Sequence, residues 1–322
     1  MYSAPPFDAE LAAALAATGQ DSIATGITRE TIAAHREALL ADVPSIEELS
    51  QDGAFEVEER TVPGPEAAPD ISLLILRPTG WTGARPVVYH THGGGLIMGN
   101  NRYAIAQVTQ WALELGLVVV SVEYRLAPEH PYPAGLDDAY AGLLWTVRNA
   151  ESIGGDPRRV LVAGGSAGGN LAAALALLAR DRKEVELLAQ VLIYPMLDDR
   201  NETVSAHQMT GRGAWDRVSN DTAWTAVLGS ARGSDDVPAY ASPARETDLA
   251  GLPPAFLEVG AAETFRDEVV AYAGRIWASG GEAELHVWPG AFHGFDVFAP
   301  HAAISQDACD ARLRWLRRLL GE

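Results

Sequence analysis

Along the first fifty residues, apolar positions recur at helical spacing. Asp8 to Thr18 is rich in Ala and Leu, and Ile27 to Ala41 sets Ile32, His35 and Leu39 near one face, so both stretches read as helices. Pro44 and Ser45 interrupt the pattern before a short acidic stretch. Past Gln51 the period shortens. Phe55 to Val62 alternates apolar and charged, as a half-buried strand does, and Ile71 to Leu76 is a second strand closed by the turn residues Pro78, Thr79 and Gly80. Val87 to Thr91 is a third, and the β-branched run Leu117 to Val122 predicts a strand buried on both faces.

From there the two periods alternate. Helices are expected over Asp137–Asn149, Asn170–Arg180, Arg266–Ala278 and Gln306–Leu320. Strands are expected over Val160–Ala163, Ala189–Tyr194, Ala255–Val259 and Glu284–Trp288. Such alternation predicts an α/β protein whose mostly parallel sheet carries helices on both faces. Two segments stand outside it: the helical start, residues 1–50, and residues 199–238, with polar turns, Trp215 and Trp224. They are expected to form two parts of a lid over the carboxyl edge of the sheet, where open α/β sheets bind ligands. The core would then be residues 51–198 and 239–322.

Composition narrows the function. The chain has 322 residues and 48% hydrophobic content, enough for a sizeable core. Its formal net charge of −19 repels phosphate backbones and anionic lipid, so neither nucleic acid nor a membrane is expected as partner. A single cysteine, Cys309, excludes a disulfide framework and a thiolate metal cage. It is expected to lie in the last helix as a small apolar side chain. No cationic segment followed by an apolar one opens the chain, and the longest aliphatic stretch, Leu171–Ala179, is too short for a membrane span. The cytoplasm follows by elimination.

The sharpest chemical signal is Gly164-Gly165-Ser166-Ala167-Gly168, a G-x-S-x-G pattern between a strand and a helix. Small neighbours suit a tight nucleophile elbow that exposes the Ser166 hydroxyl at a helix N-terminus, where developing negative charge is favoured. A phosphate loop is the bland alternative, but the G-K-[ST] of the Walker pattern is absent. The second signal is His92-Gly93-Gly94-Gly95, directly after a strand and about 70 residues before Ser166. Consecutive glycines let backbone N–H groups face a cavity, where they would bind a carbonyl oxygen as it becomes an oxyanion. A flexible loop is the alternative for this second motif alone, as a plain glycine-rich strand-to-helix turn is for the first; the chain order fits the loop and the elbow together.

A general base should follow the serine. His293, in Gly290-Ala291-Phe292-His293-Gly294-Phe295, follows the last strand and has the flanking glycines to swing toward Ser166. His286 lies within that strand and reads as structural, and His301, in a Pro-flanked loop, is the weaker competitor. The acid that orients the base should lie between them. Glu263, at the loop tip after Phe256–Val259, is the first choice. Asp267, Asp198 and Asp199 remain candidates, with an ion pair to Arg266 the bland reading of Asp267.

Together these residues resemble the hormone-sensitive lipase family of α/β-hydrolases, the bacterial family IV esterases, over about residues 55 to 320. His92–Gly95 is similar to the family's HGGG, and Tyr124–Ala134 to its proline-rich segment. Ser166 stands in Gly-Ser-Ala-Gly-Gly, Phe265-Arg266-Asp267-Glu268 follows the acid position, and His293-Gly294-Phe295 matches the histidine motif. The resemblance implies an eight-stranded sheet with a helical cap, no cofactor and no metal, and hydrolysis of short- to medium-chain acyl esters. It implies oxyanion donors at the amides of Gly94, Gly95 and Ala167, with Gly93 shaping the loop. Two departures are visible: Gly165 precedes the nucleophile where relatives carry Asp or Thr, and Glu263 replaces the usual Asp.

Within that resemblance, Glu129 and His130 read as loop braces, and Pro128, Pro131 and Pro133 as stiffeners. Met209, Trp215 and Trp224 are candidates for lining an acyl pocket, against the plainer reading that they form the cap's own core. A final strand at the sheet edge would leave room for a homodimer. Lactone or amide hydrolysis is the rival within the class. A non-catalytic small-molecule receptor on the same fold is the rival outside it, and the retained His293 argues against that.

Overall fold

The computed structural model describes residues 2–18, 25–41 and 43–322. Both helical readings at the start of the chain fall within these residues: the first is observed over Ala9–Ala17, and the second begins only at Ile32, because residues 27–31 form a turn in which Thr31 Oγ1 accepts from Thr28 N–H and donates to Thr28 O.

Three helices open the chain: α1 (Ala9–Ala17), α2 (Ile32–Ala41) and the short α3 (Ile46–Ser50). Ser45 ends the break at Pro44 by capping α3; its hydroxyl accepts from the Glu48 N–H while the Glu48 carboxylate accepts from the Ser45 N–H, a full capping box. The sheet begins with β1 (Phe55–Val62), β2 (Ile71–Pro78) and β3 (Arg85–Thr91). Then come α4 (Ala106–Leu115), β4 (Val118–Glu123), α5 (Ala134–Asn149), β5 (Gly155–Gly165), α6 (Ala167–Arg182) and β6 (Ala189–Ile193). After α7 (Val204–Gln208) and α8 (Arg217–Leu228) the alternation resumes with β7 (Ala255–Gly260), α9 (Arg266–Ala278), β8 (Ala283–Trp288), α10 (Phe295–Phe298) and α11 (Ala303–Leu320).

The eight strands form one sheet in the order β1-β2-β4-β3-β5-β6-β7-β8. β1–β2 and β2–β4 are antiparallel; every other pair is parallel. The central strands β6 and β7 are buried at every position, so they are mostly apolar on both faces, and their two polar side chains, Gln190 and Glu258, are buried with the rest. β1 and β8 are the edges and keep partly exposed positions. Helix α5 packs on α6, and α4 on α11. The α/β class and the eight-stranded sheet match the expectation from pattern and motif.

Helix α4 went unread in the sequence, as did the short α3 and α10 and the individual cap helices α7 and α8. The N-cap of α4 is Ile105, which gives no side-chain cap bond, and Val108 and Thr109 lower local helix propensity. Burial of Val108, Trp111, Ala112 and Leu115 against the sheet supplies what local signals lack.

The N-terminal segment joins the α7–α8 segment. Gly26 N–H donates to Asp216 Oδ1 (2.9 Å), Ile27 N–H to Ser219 Oγ (3.0 Å), and Thr222 Oγ1 to Ile27 O (2.7 Å). Arg36 on α2 ties the same segment to the core through Ile97 O, Ala127 O and both carboxylate oxygens of Glu129. The bracing expected of Glu129 is thus seen. Among the described residues, no helix is long and apolar enough to cross a membrane.

Candidate active site

The parallel strands β3 to β8 end on one edge of the sheet, and the loops after β3, β5, β7 and β8 carry the residues singled out by sequence. Ser166 sits between β5 and α6 with φ 58° and ψ −123°, a backbone geometry that costs an L-residue on the order of 1–3 kcal/mol. Bonds on both sides hold it there: Ser166 N–H donates to Ile193 O (2.9 Å), and Ser166 O accepts from Met196 N–H (3.1 Å) and Asn170 N–H (3.1 Å). The turn needs Gly168 because a Cβ there would lie 1.9 Å from Thr91 O on the neighbouring strand.

The loop after β3 is fixed by His92. Its ring stacks on Tyr124 (4.0 Å between centroids, 11° between planes), and its Nδ1 donates to Gly93 O (2.8 Å). The Tyr124 hydroxyl donates to His92 O (2.7 Å). Burial pushes the His92 pKa down to about 4, only partly opposed by the bond to Gly93, so the ring is neutral near pH 7. Gly94, at φ +109°, turns its carbonyl to accept from Ile97 N–H (3.1 Å) and Met98 N–H (3.0 Å). A side chain would be strained at that φ, and its Cβ would lie 2.2 Å from Met98 O. The amides of Gly94, Gly95 and Ala167 find no acceptor among the described residues. Gly93 brings this loop against the serine, since a point one Cβ out from it lies 3.5 Å from Ser166 Cβ.

His293 follows β8 and reaches both neighbours expected of a base. Its Nε2 is 2.9 Å from Ser166 Oγ, and its Nδ1 is 2.6 Å from Glu263 Oε1. Glu263 is fully buried, and its second oxygen accepts from Gly260 N–H (3.0 Å). Aromatic rings wall the imidazole: Tyr194 at 4.9 Å and Phe265 at 5.0 Å, both edge-on, with Trp215 at 6.4 Å. The competitors are engaged elsewhere. Asp267 pairs with Arg266 (2.8 Å) and accepts from Ser205 N–H (2.8 Å); Asp198 pairs with Arg200 and Asp199 with Arg245. His286 stacks on Trp288 in the edge strand β8.

Ser166, His293, Trp215 and Gly94 share one cavity of about 500 Å³. Met209 and Trp224, read as possible pocket residues, do not line it. Trp224 is fully buried on the inner side of α8, and the Met209 methyl packs toward Gly213. For these two, the structure corrects the pocket assignment to the plainer reading of buried packing. Sequence reading missed Tyr194, Tyr103 and Gln107, which do line the cavity. Tyr194 stood in plain sight at the carboxyl end of a central strand, the position where such sheets place ligand contacts. Among the described residues, no group of three or more His, Cys, Asp or Glu side chains is placed to hold a metal ion.

A family model described as the alpha/beta hydrolase fold matches residues 88–297. The carboxylesterase NlhH of Mycobacterium tuberculosis is 37% identical over 266 residues, covering 82% of this chain and 83% of that protein. Among solved structures, a bacterial heroin esterase superposes with a TM-score of 0.89 at 36% identity, covering 98% of both chains. The esterase LipW of Mycobacterium marinum follows at 0.86 and 33%, again over 98% of both chains. The chain belongs to the α/β-hydrolases, in the hormone-sensitive lipase family of carboxylesterases. The family expected from the motifs is the one found.

Proposed function

We propose that this carboxylesterase works through Ser166, His293 and Glu263, with the amides of Gly94, Gly95 and Ala167 as its oxyanion hole. One observation carries the reading: the unbroken line of hydrogen bonds from Ser166 Oγ through both imidazole nitrogens to a fully buried carboxylate. His293 Nε2 takes the serine proton as Oγ attacks the ester carbonyl. Glu263 holds the proton on Nδ1 and offsets the charge of the imidazolium. The carbonyl oxygen, now an oxyanion, meets N–H groups with no other acceptor, each worth about 2.7–4 kcal/mol of barrier in comparable sites. His293 then protonates the departing alcohol, and water hydrolyses the acyl-enzyme by the same steps.

A cavity of about 500 Å³ suits short- to medium-chain acyl esters. In this proposal the N-terminal helices and residues 199–238 form a two-part cap, and the enzyme is cytoplasmic. Two copies would pair at the edge strand β8, where Val287 is 40% exposed; sedimentation velocity at micromolar concentration reads that state.

The central test is Ser166→Ala assayed with 4-nitrophenyl butyrate. Turnover should fall by a factor on the order of 10⁴ or more with an unchanged circular dichroism spectrum. A folded variant that retains a tenth of the activity overturns the assignment.

A further inference from the structure

Behind the aromatic wall of His293 lies a chain of buried polar groups that the reaction does not use. Arg312, on α11 and 1% exposed, pairs with Glu258 on β7 and with Asp296 on α10 (2.6 Å). Asp296 in turn accepts from the Tyr194 hydroxyl (Oδ1, 2.9 Å) and from Gln107 Nε2 (Oδ2, 2.6 Å). Gln107 Nε2 also approaches the Tyr194 oxygen at 3.4 Å.

This arrangement decides which way round the Gln107 amide sits. A carboxylate paired with arginine only accepts, so Nε2 must face Asp296. The Tyr194 proton is committed to Asp296, so the Tyr194 oxygen is free to accept the second Nε2 hydrogen. The amide N–H groups are then used up, and only Oε1 remains. Gln107 lines the cavity that holds Ser166, Oε1 has no protein partner, and it is not among the buried, sealed-off polar atoms. A carbonyl oxygen is therefore held facing the substrate space, with its orientation set by ion pairs that reach back to β7.

We propose that Gln107 Oε1 is a built-in hydrogen-bond acceptor for the substrate, and that the preferred ester carries a hydroxyl or amide N–H on its acyl or alcohol half. This rests on the hydrolase reading above. Two features of the lining choose a neutral donor over an ammonium group. Arg102 lines the same cavity, and among the described residues no carboxylate does. The Tyr103 hydroxyl, also in the lining and without a protein partner, can donate to the hydroxyl oxygen of such a substrate.

The test uses pairs in which a hydroxyl replaces a methyl group of nearly equal size. For the acyl half the pair is ethyl 3-hydroxybutyrate and ethyl 3-methylbutyrate; for the alcohol half, 2-hydroxypropyl acetate and 2-methylpropyl acetate. With the intact enzyme, kcat/KM should favour the hydroxyl member of at least one pair by roughly three- to tenfold, the range of one well-made hydrogen bond. The favoured pair tells which half of the substrate is read. Gln107→Met should bring that ratio toward one. Asp296→Asn, which lets the Gln107 amide turn over, should do the same. Ethyl 3-aminobutyrate should be the poorer partner of its hydroxyl analogue. The absence of a hydroxyl preference in both pairs overturns the proposal, as does a hydroxyl preference unchanged in Gln107→Met or a preference for the ammonium ester. Absence of hydrolysis of every ester would instead overturn the esterase mechanism, so the two failures are distinct.

Discussion

Replacing Glu263 by glutamine tests the site more sharply than deleting it, because the surroundings dictate how the amide must sit. Glu263 Oε2 accepts from Gly260 N–H (3.0 Å), so in Glu263→Gln the carbonyl oxygen has to occupy that place. Turning the amide over would set two donors face to face in a buried site, a cost of about 1–3 kcal/mol. The NH₂ group is thereby aimed at His293 Nδ1, 2.6 Å from where Oε1 stood. Nδ1 must then present its lone pair and the proton moves to Nε2, which points at Ser166 Oγ (2.9 Å). An Nε2 that carries a proton cannot take one. In unrelated serine hydrolases this tautomer error costs about 10⁴ in kcat, or roughly 5 kcal/mol of barrier. The expected result with 4-nitrophenyl butyrate near pH 7 is a loss of that order in kcat, with KM changed far less. Glu263→Asp, one methylene short but still an acceptor, should lose less. A folded Glu263→Gln protein whose kcat drops less than tenfold would refute the argument, and a larger loss from Asp267→Asn would move the role to Asp267.

Other consequences are open to direct measurement. Gly94→Ala should lower kcat by about 10²–10³ with KM little altered, because the 2.2 Å approach to Met98 O forces the amide out of line. Arg312→Met leaves the carboxylates of Glu258 and Asp296 buried without their cation, and should cost about 3–5 kcal/mol in urea unfolding. His90 sits in the cavity wall, where burial, and secondarily His92, depresses its pKa to about 3. The unfolded chain binds that proton near pH 6.5 and the folded one does not, so stability falls as pH drops through the window between. His90→Asn should flatten this dependence by about 1.4 kcal/mol per pH unit; identical slopes for the two proteins would refute the burial argument.

The residues proposed to react stood out in the chain because their neighbours meet steric demands that leave a local trace. Gly168 packs against the backbone of Thr91, Gly94 needs a positive φ, and both appear as glycines in fixed places around polar residues. The acid was less legible. Glu263 and Asp267 stand four residues apart, and only the folded chain separates them, with Glu263 against His293 and Asp267 held by Arg266 and Ser205. The pocket was hardly legible at all. Whether Trp215 or Trp224 faces the cavity depends on how α8 lies against the core, which no short pattern records. Gln107 is oriented by Asp296, 189 residues further on, and it begins a helix that has no capping signal of its own.

The seam between residues 26–27 and residues 216–222 bears on how selectivity can change. Walls of the reaction chamber come from two stretches almost two hundred positions apart, coupled by three hydrogen bonds. A substitution in one stretch will shift the groups that the other presents, so paired mutations across the seam will combine non-additively. Directed evolution of substrate range in this protein will therefore meet epistasis first at that joint, while the strand-end chemistry beneath it stays untouched.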